Sequence, residues 1–259
     1  MSIIRNIFII HQEGMDALVP YVVEALNDVM NCFPQYKQYF PITNLGNWKS
    51  KHAYLIQDGT RYLAPYESMD WYLARAKQRA LSEDRWHARR QINAEQMLID
   101  LNHDPYRHQI PQWSINLTTH DLYGGEASNF CLGVTQPDAF SIISTSRFIK
   151  QNNQLDMENF LTTVQHEFSH ILGVTEGNRP NVYECLGTHC STAGCIMQQR
   201  LDGRFNDITE IRLRRKATGF PPLCSHCIQQ GNKNLSILYR SHHTSGPTIP
   251  GNPHNGGRN

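Results

Sequence analysis

Three features of the sequence predict an α+β fold. Short apolar runs rich in β-branched residues recur along the chain, and longer stretches repeat apolar residues at helical spacing. Five of the seven cysteines gather between positions 185 and 227, where a smaller metal-stabilised part would sit. With 259 residues, 39% of them hydrophobic and 18% charged, the chain has enough apolar side chains for a core of its own. That balance excludes a coiled coil, a collagen and a chain disordered throughout.

In order, residues 3–10 read as a buried first strand, because Ile recurs in a short apolar run. Gly14 and Asp16 open a helix to about Met30, with Leu18, Val22, Ala25, Leu26 and Val29 at helical spacing. Residues 32–66, rich in Pro, Tyr, Asn and Gly, read as loops around one or two short strands such as 53–57. Residues 68–102 form the longest helical pattern, with Leu81, Ala88, Ile92 and Ile99 on one stripe. Its basic run, Arg75, Lys77, Arg79, Arg85, Arg89 and Arg90, reads as a solvated helix face.

Trp113–Thr119 alternates apolar and polar residues as a strand does, and Gly124-Gly125 marks a turn. Phe130–Val134 and Ala139–Ser144 read as a hairpin around Gln136-Pro137-Asp138. Leu155–Leu172 is strongly amphipathic, with Met157, Phe160, Leu161, Val164, Phe168, Ile171 and Leu172 on one face. Asp156 and Glu158 suit the positive end of its dipole, and Gly173 can end it in a left-handed conformation. A further helix covers about 206–217. Residues 231–259, dense in Gly, Asn, Ser, Pro and His, read as a disordered tail.

The charge is near neutral: 24 Lys and Arg stand against 23 Asp and Glu. The tail carries Lys233, Arg240 and Arg258 with no acidic residue, which leaves residues 1–230 at −2. This argues against a nucleic-acid partner, which would call for a basic footprint. No run approaches the roughly 18 apolar residues of a membrane helix. The apolar start ends at His11, Gln12 and Glu13, short of a secretory signal. A cytoplasmic monomer with no membrane partner is the expectation.

The chemistry centres on Gln165-His166-Glu167-Phe168-Ser169-His170-Ile171-Leu172-Gly173. His166 and His170 are four residues apart, one turn along the same helix face, so both can grip one cation. Glu167, beside the first of them, can take a proton from a zinc-bound water and relay it to a leaving amine. A second constellation, Cys190-x4-Cys195 followed by Cys224-x2-Cys227, can supply four thiolates to a tetrahedral zinc. Such a closed site has no open position for chemistry, so its role is structural. Cys32 and Cys131 read as core thiols. His52, His87, His103, His108 and His120 read as surface or satisfied core histidines, and His226 as the spacer of the CxxC knuckle.

The combination HExxHxxG, then His-Cys-x4-Cys-x-Met, then CxxC resembles the archaemetzincin family of zinc metallopeptidases. The resemblance extends upstream to Arg89–Leu98, to Leu117–Tyr123, and to Phe130–Gly133 with Ile143–Arg147, and covers roughly residues 70–230. It implies a metzincin-like fold: a mixed twisted sheet over an HExxH helix, completed by a smaller zinc-binding C-terminal subdomain. On that expectation 1–230 is a single catalytic domain, with subdomains of about 1–173 and 174–230. The resemblance also implies that Met197 is the Met-turn residue, an apolar floor beneath the catalytic metal.

One departure stands out. The family places its third zinc histidine three residues after the glycine and directly before the first structural cysteine. Here that position is Glu176, and the His-Cys pair comes 13 residues later as His189-Cys190. The segment 174–186 reads as an inserted surface loop, so His189 is favoured as third ligand with Glu176 the alternative; with His189 as the ligand, Glu176 lies near the cleft mouth.

The functional expectation is a zinc metallopeptidase, of endopeptidase or aminopeptidase type, with two zinc ions per chain. Its peptide substrate would add to a strand near Phe130–Val134 or Ser141–Ser144. The alternative is a catalytically weak, zinc-stabilised peptide-binding protein with the same fold.

Overall fold

The structure of the protein, a computed structural model, describes residues 5–47, 54–57, 60–63, 68–83, 90–104, 112–124, 130–185, 187–199 and 205–244. In chain order the elements are β1 (Asn6–His11), a 3-10 turn at Asp16–Leu18, α1 (Val19–Met30), α2 (Pro34–Lys37), β2 (Ile42–Gly46), β3 (Tyr54–Gln57), β4 (Thr60–Leu63), α3 (Met69–Ser82), β5 (Gln91–Asn93), α4 (Ala94–Asn102), β6 (Gln112–Thr118), β7 (Asp121–Tyr123), β8 (Gly133–Gln136), β9 (Phe140–Ser144), a 3-10 turn at Ser146–Phe148, α5 (Met157–Ile171), β10 (Val182–Glu184), β11 (Thr188–Cys190), α6 (Phe205–Ala217) and α7 (Ser225–Thr244).

The main sheet has the order β2-β1-β6-β9-β8. It is mixed, as expected, but mostly parallel: β2, β1, β6 and β9 run the same way and only β8 is antiparallel. Helices cover both faces, which corrects the α+β expectation toward α/β for this layer. Parallel neighbours need crossover connections, and crossovers place helices on the sheet faces. The period of two in β1 shows the division. Ile7 and Ile9 join Val22, Leu26 and Val29 of α1 and Phe160, Val164 and Phe168 of α5. Phe8 and Ile10 face the other way, toward Tyr72, Leu73 and Ala76 of α3 and Met97 and Leu101 of α4. In β6 the polar positions Ser114, Asn116 and Thr118 are buried as fully as the apolar ones. Asn116 offsets that cost by donating to the Ser141 carbonyl at 2.9 Å and to the Ser114 hydroxyl at 3.1 Å.

The continuous helix expected over 68–102 is broken. Residues 91–93 form β5, paired in parallel with β7, and Asn93 then caps α4 by accepting from the Gln96 N–H at 2.9 Å. The proposed stripe does not exist, since Ile92 is buried while Leu81 and Ile99 are exposed. The buried face of α3 is Met69, Tyr72, Leu73, Ala76 and Ala80. Its basic residues pair internally: Arg75 with Asp100 at 2.9 Å and Arg79 with Glu83 at 3.0 Å. Arg85, Ala88, Arg89, Gly125, His52, His87 and His108 lie outside the described residues.

The tail expectation is also corrected. Helix α7 continues through 231 to Thr244, and of this tail 245–259 lie outside the described residues. Leu235 is fully buried, the Tyr239 ring lies 5.0 Å from that of Tyr39, and Asn234 donates to the carbonyls of Leu172 and Gly173 at 3.1 and 3.0 Å. Burial of one face outweighs the poor helix propensity of Gly, Asn and Ser. At Gly231 any Cβ would sit 2.5 Å from the Phe33 ring, so the glycine marks closest approach. No helix among the described residues is long and apolar enough to cross a membrane.

Candidate metal centres and active site

Helix α5 carries the HExxH residues, and its ends follow from local chemistry. Asp156 caps the N-terminus by accepting from the Asn159 N–H at 3.3 Å. Gly173 takes φ +62° just past the C-terminus, the left-handed stop expected of it. Between these ends Phe160, Val164 and Phe168 enter the core, while His166 and Glu167 are buried elsewhere on the helix.

Three imidazoles, those of His166, His170 and His189, converge. Nδ1 of His166 lies 2.7 Å from the Ile196 carbonyl, and Nδ1 of His189 lies 3.0 Å from the Gly187 carbonyl. A carbonyl only accepts, so both Nδ1 atoms carry hydrogen and both Nε2 atoms present lone pairs. Nε2 of His166 lies 3.1 Å from Nε2 of His170. Burial lowers the basicity of all three. Desolvation acts on His166; desolvation and then His166 and His189 act on His170; desolvation and then His166 bring His189 to about 4. Neutral imidazoles, with the Nε2 lone pairs of His166 and His189 available, suit a divalent cation, which needs unprotonated nitrogen.

Glu176 is not part of this cluster. It sits beside Gly173 in a groove that Trp113, Asp138 and Asn234 also line, and burial with the Asp138 charge raises its carboxyl above the ordinary range.

Glu167 turns toward the sheet edge. A Cβ at Gly133 would lie 2.7 Å from the Glu167 Cγ, so only glycine admits this carboxylate against β8. Thr135 donates its hydroxyl to Glu167 Oε2 at 2.5 Å, and the Ser141 hydroxyl lies 2.7 Å from that of Thr135. Burial pushes the Glu167 carboxyl up to about 7, against the opposing hydrogen bond from Thr135. Sequence reasoning missed Thr135 and Ser141; nothing in their local pattern distinguishes them from ordinary strand hydroxyls. Of the two strands named for substrate docking, Ser141–Ser144 lies inside the sheet between β6 and β8 and has no free edge. Among the described residues β8 is an edge strand of the sheet.

The second cluster is Cys190, Cys195, Cys224 and Cys227, all buried, with no disulfide. Cys190 and Cys224 sulfurs are 3.8 Å apart, and those of Cys195 and Cys227 3.7 Å. A disulfide is about 2.05 Å long. Four sulfurs arranged tetrahedrally about 2.3 Å from a zinc ion lie about 3.8 Å from one another. Hydrogen bonds among the thiols split their acidities. The bond with Cys195 leads in bringing Cys190 down to about 6, and the bond with Cys190 leads in lowering Cys224 and in raising Cys195 and Cys227.

Strand β11 joins the two clusters. Successive strand residues point to opposite sides, so His189 reaches the imidazoles and Cys190 the thiols. The Cys190 N–H donates to the Met197 carbonyl at 2.8 Å, and Met197 is fully buried. Within the segment expected as an inserted surface loop, residues 182–184 form β10, paired with β11 so that Tyr183 faces His189 and Val182 faces Cys190. Cys32 is buried, as expected of a core thiol, while Cys131 and Cys185 are half-buried.

No family model matches the chain, and no curated protein matches it. Solved structures do. An archaemetzincin from Methanopyrus kandleri superposes with a TM-score of 0.52 at 16% identity, covering 90% of this chain and 96% of its own. A zinc-dependent peptidase from Methanocorpusculum labreanum gives 0.51 at 18% identity, covering 87% of this chain and 100% of its own. At such identities the likeness is one of fold, and the fold of this chain is that of the archaemetzincin structures.

Proposed function

We propose that the chain is a zinc-dependent metallopeptidase with a catalytic zinc on His166, His170 and His189 and a structural zinc on Cys190, Cys195, Cys224 and Cys227. The observation that carries this reading is the convergence of His166, His170 and His189, whose ligand nitrogens lie within 4.8 Å of one another, with Nε2 of His166 and Nε2 of His170 3.1 Å apart. Three imidazole nitrogens gathered that closely can serve one divalent cation as its protein ligands. The fold likeness to a structure described as a zinc-dependent peptidase supports it.

When bound in the histidine site, zinc supplies Lewis acidity that acidifies a water and polarises the scissile carbonyl. The chain supplies the rest. Glu167 accepts the water's proton on the carboxylate oxygen that Thr135 does not hold, and passes it to the leaving amine. A carboxyl pushed up to about 7 is matched to both roles near neutral pH. An extended peptide pairs with the outer side of β8, next to Glu167. Met197 closes the floor of the histidine site. The alternative of a peptide binder without useful catalysis leaves the cramped packing of Glu167 against Gly133 without a purpose.

The test is digestion of a peptide mixture near neutral pH, alongside elemental analysis. Chelator-sensitive cleavage and two zinc ions per chain are the expected results; no cleavage by zinc-replete protein overturns the peptidase reading. For the ligand set, His189→Ala is expected to lose one zinc and Glu176→Ala to keep both. Loss of zinc from Glu176→Ala with retention in His189→Ala would reassign the third ligand.

A further inference from the structure

The segment 174–186 carries polar, turn-forming residues, yet two of its side chains turn inward to sulfur. Arg179 donates Nη2 to the Val174 carbonyl at 2.5 Å and approaches Cys227 Sγ at 3.4 Å. Asn181 Nδ2 lies 3.4 Å from Cys190 Sγ and 3.2 Å from the Thr192 hydroxyl, while the Asn181 backbone carbonyl accepts from the Ser191 N–H at 2.9 Å. The Thr192 N–H adds a second donor to Cys190 Sγ at 3.4 Å. Cys190 and Cys227 belong to opposite halves of the thiol cluster, so the segment touches both.

We propose that Arg179 and Asn181 are positioning residues for the four-cysteine metal site, supplying the charge and hydrogen bonds that a buried tetrathiolate needs. The inference rests on the reading of those cysteines as zinc ligands. A dication with four thiolates carries two negative charges, and all four cysteines are buried. Negative charge away from water is costly unless donors or a counter-charge meet it. The Arg179 guanidinium brings positive charge to one side of the cluster, and the Asn181 amide with the Thr192 N–H brings donors to the other. Donors of this kind orient the ligands and set how tightly the metal is held.

The same segment supplies β10, whose pairing with β11 fixes His189 and Cys190 in register. It therefore braces the structural site by its side chains and both sites by its backbone. A merely mechanical brace would need only the Arg179 bond to the Val174 carbonyl and the strand pairing. A charge-compensating residue must also respond to the loss of its charge.

The experiment uses the full chain loaded with cobalt in place of zinc. It reads the thiolate-to-cobalt charge-transfer band and the rate at which a chelator removes that metal. Arg179→Met is expected to shift the band and speed metal loss ~10–100-fold, the usual range for outer-sphere changes. Arg179→Lys, which keeps the charge, should recover most of the wild-type behaviour. Asn181→Ala leaves the strand backbone intact, should give a smaller change, and carries the test if Arg179→Met fails to fold. Band and release rate equal to wild type in these variants would overturn the inference alone. A wild-type protein with no such band would overturn the four-thiolate reading and this inference with it.

Discussion

Glu167→Gln is expected to keep the fold and the zinc content and to lower peptide hydrolysis by about 10²–10⁴-fold, the range typical of lost general acid–base assistance. The substitution preserves shape, which matters because the Gly133 backbone leaves this side chain no spare room. The glutamine carbonyl can still accept the Thr135 hydroxyl that now reaches Oε2 at 2.5 Å. Glutamine has no carboxylate to receive a proton, so the loss should appear in kcat with KM little changed. Burying a neutral amide in place of a carboxyl that burial already pushes up to about 7 should cost little stability. The comparison needs elemental analysis, a thermal melt and initial rates on one cleavable peptide. Hydrolysis at the wild-type rate with zinc intact would remove Glu167 from the mechanism.

Features encoded within a few residues were legible in the sequence. Helix α5 could be read because its apolar period, its capping Asp156 and its terminating Gly173 are all local signals. The β8–β9 hairpin was legible through its short, turn-rich connection. The His and Cys groups that converge in the structure were visible because short spacings such as His166–His170 and Cys224–Cys227 are local signals. The parallel strand order was not visible, since it is settled by which crossover packs on which face. Continuing helicity from α3 through 91–93 failed because the Ile92 side chain is claimed by β5 pairing and burial.

Helix α7 illustrates the same limit from the other side. Its composition reads as a tail, yet Cys227, Ile228, Gly231, Leu235, Leu238 and Tyr239 keep a helical rhythm. That rhythm gains meaning only once Phe33 and Tyr39 are in place to receive it. The supporting residues of the site were hidden for a related reason. Thr135 meets Glu167 across 32 residues of sequence and Arg179 meets Cys227 across 48, and no local pattern marks either.

Cys224→Ser is expected to give the second large effect, on stability and then on activity. The four cysteines do not form a separate appendage: they share one apolar cluster with Ile7 and Ile9 of β1, Trp113 of β6 and Phe168 of α5. Structural zinc contributes about 10–16 kcal/mol of binding energy in small zinc-finger folds, comparable with the roughly 5–15 kcal/mol that separates a whole domain from its unfolded state. Replacing one thiolate weakens only part of that, so a loss of about 4 kcal/mol is expected, the size associated with damaged metal sites. At about 2–4 °C per kcal/mol for a chain of this length, the midpoint should fall by about 8–16 °C. Zinc content should drop from two toward one. Activity should fall with it even below the new midpoint, because Cys190 is held beside Cys224 and adjoins His189 on β11. The observations needed are a thermal melt, a zinc count and peptide hydrolysis at a temperature where both proteins are folded. An unchanged midpoint with two zinc ions retained would show that Cys224 is not a ligand of a structural metal.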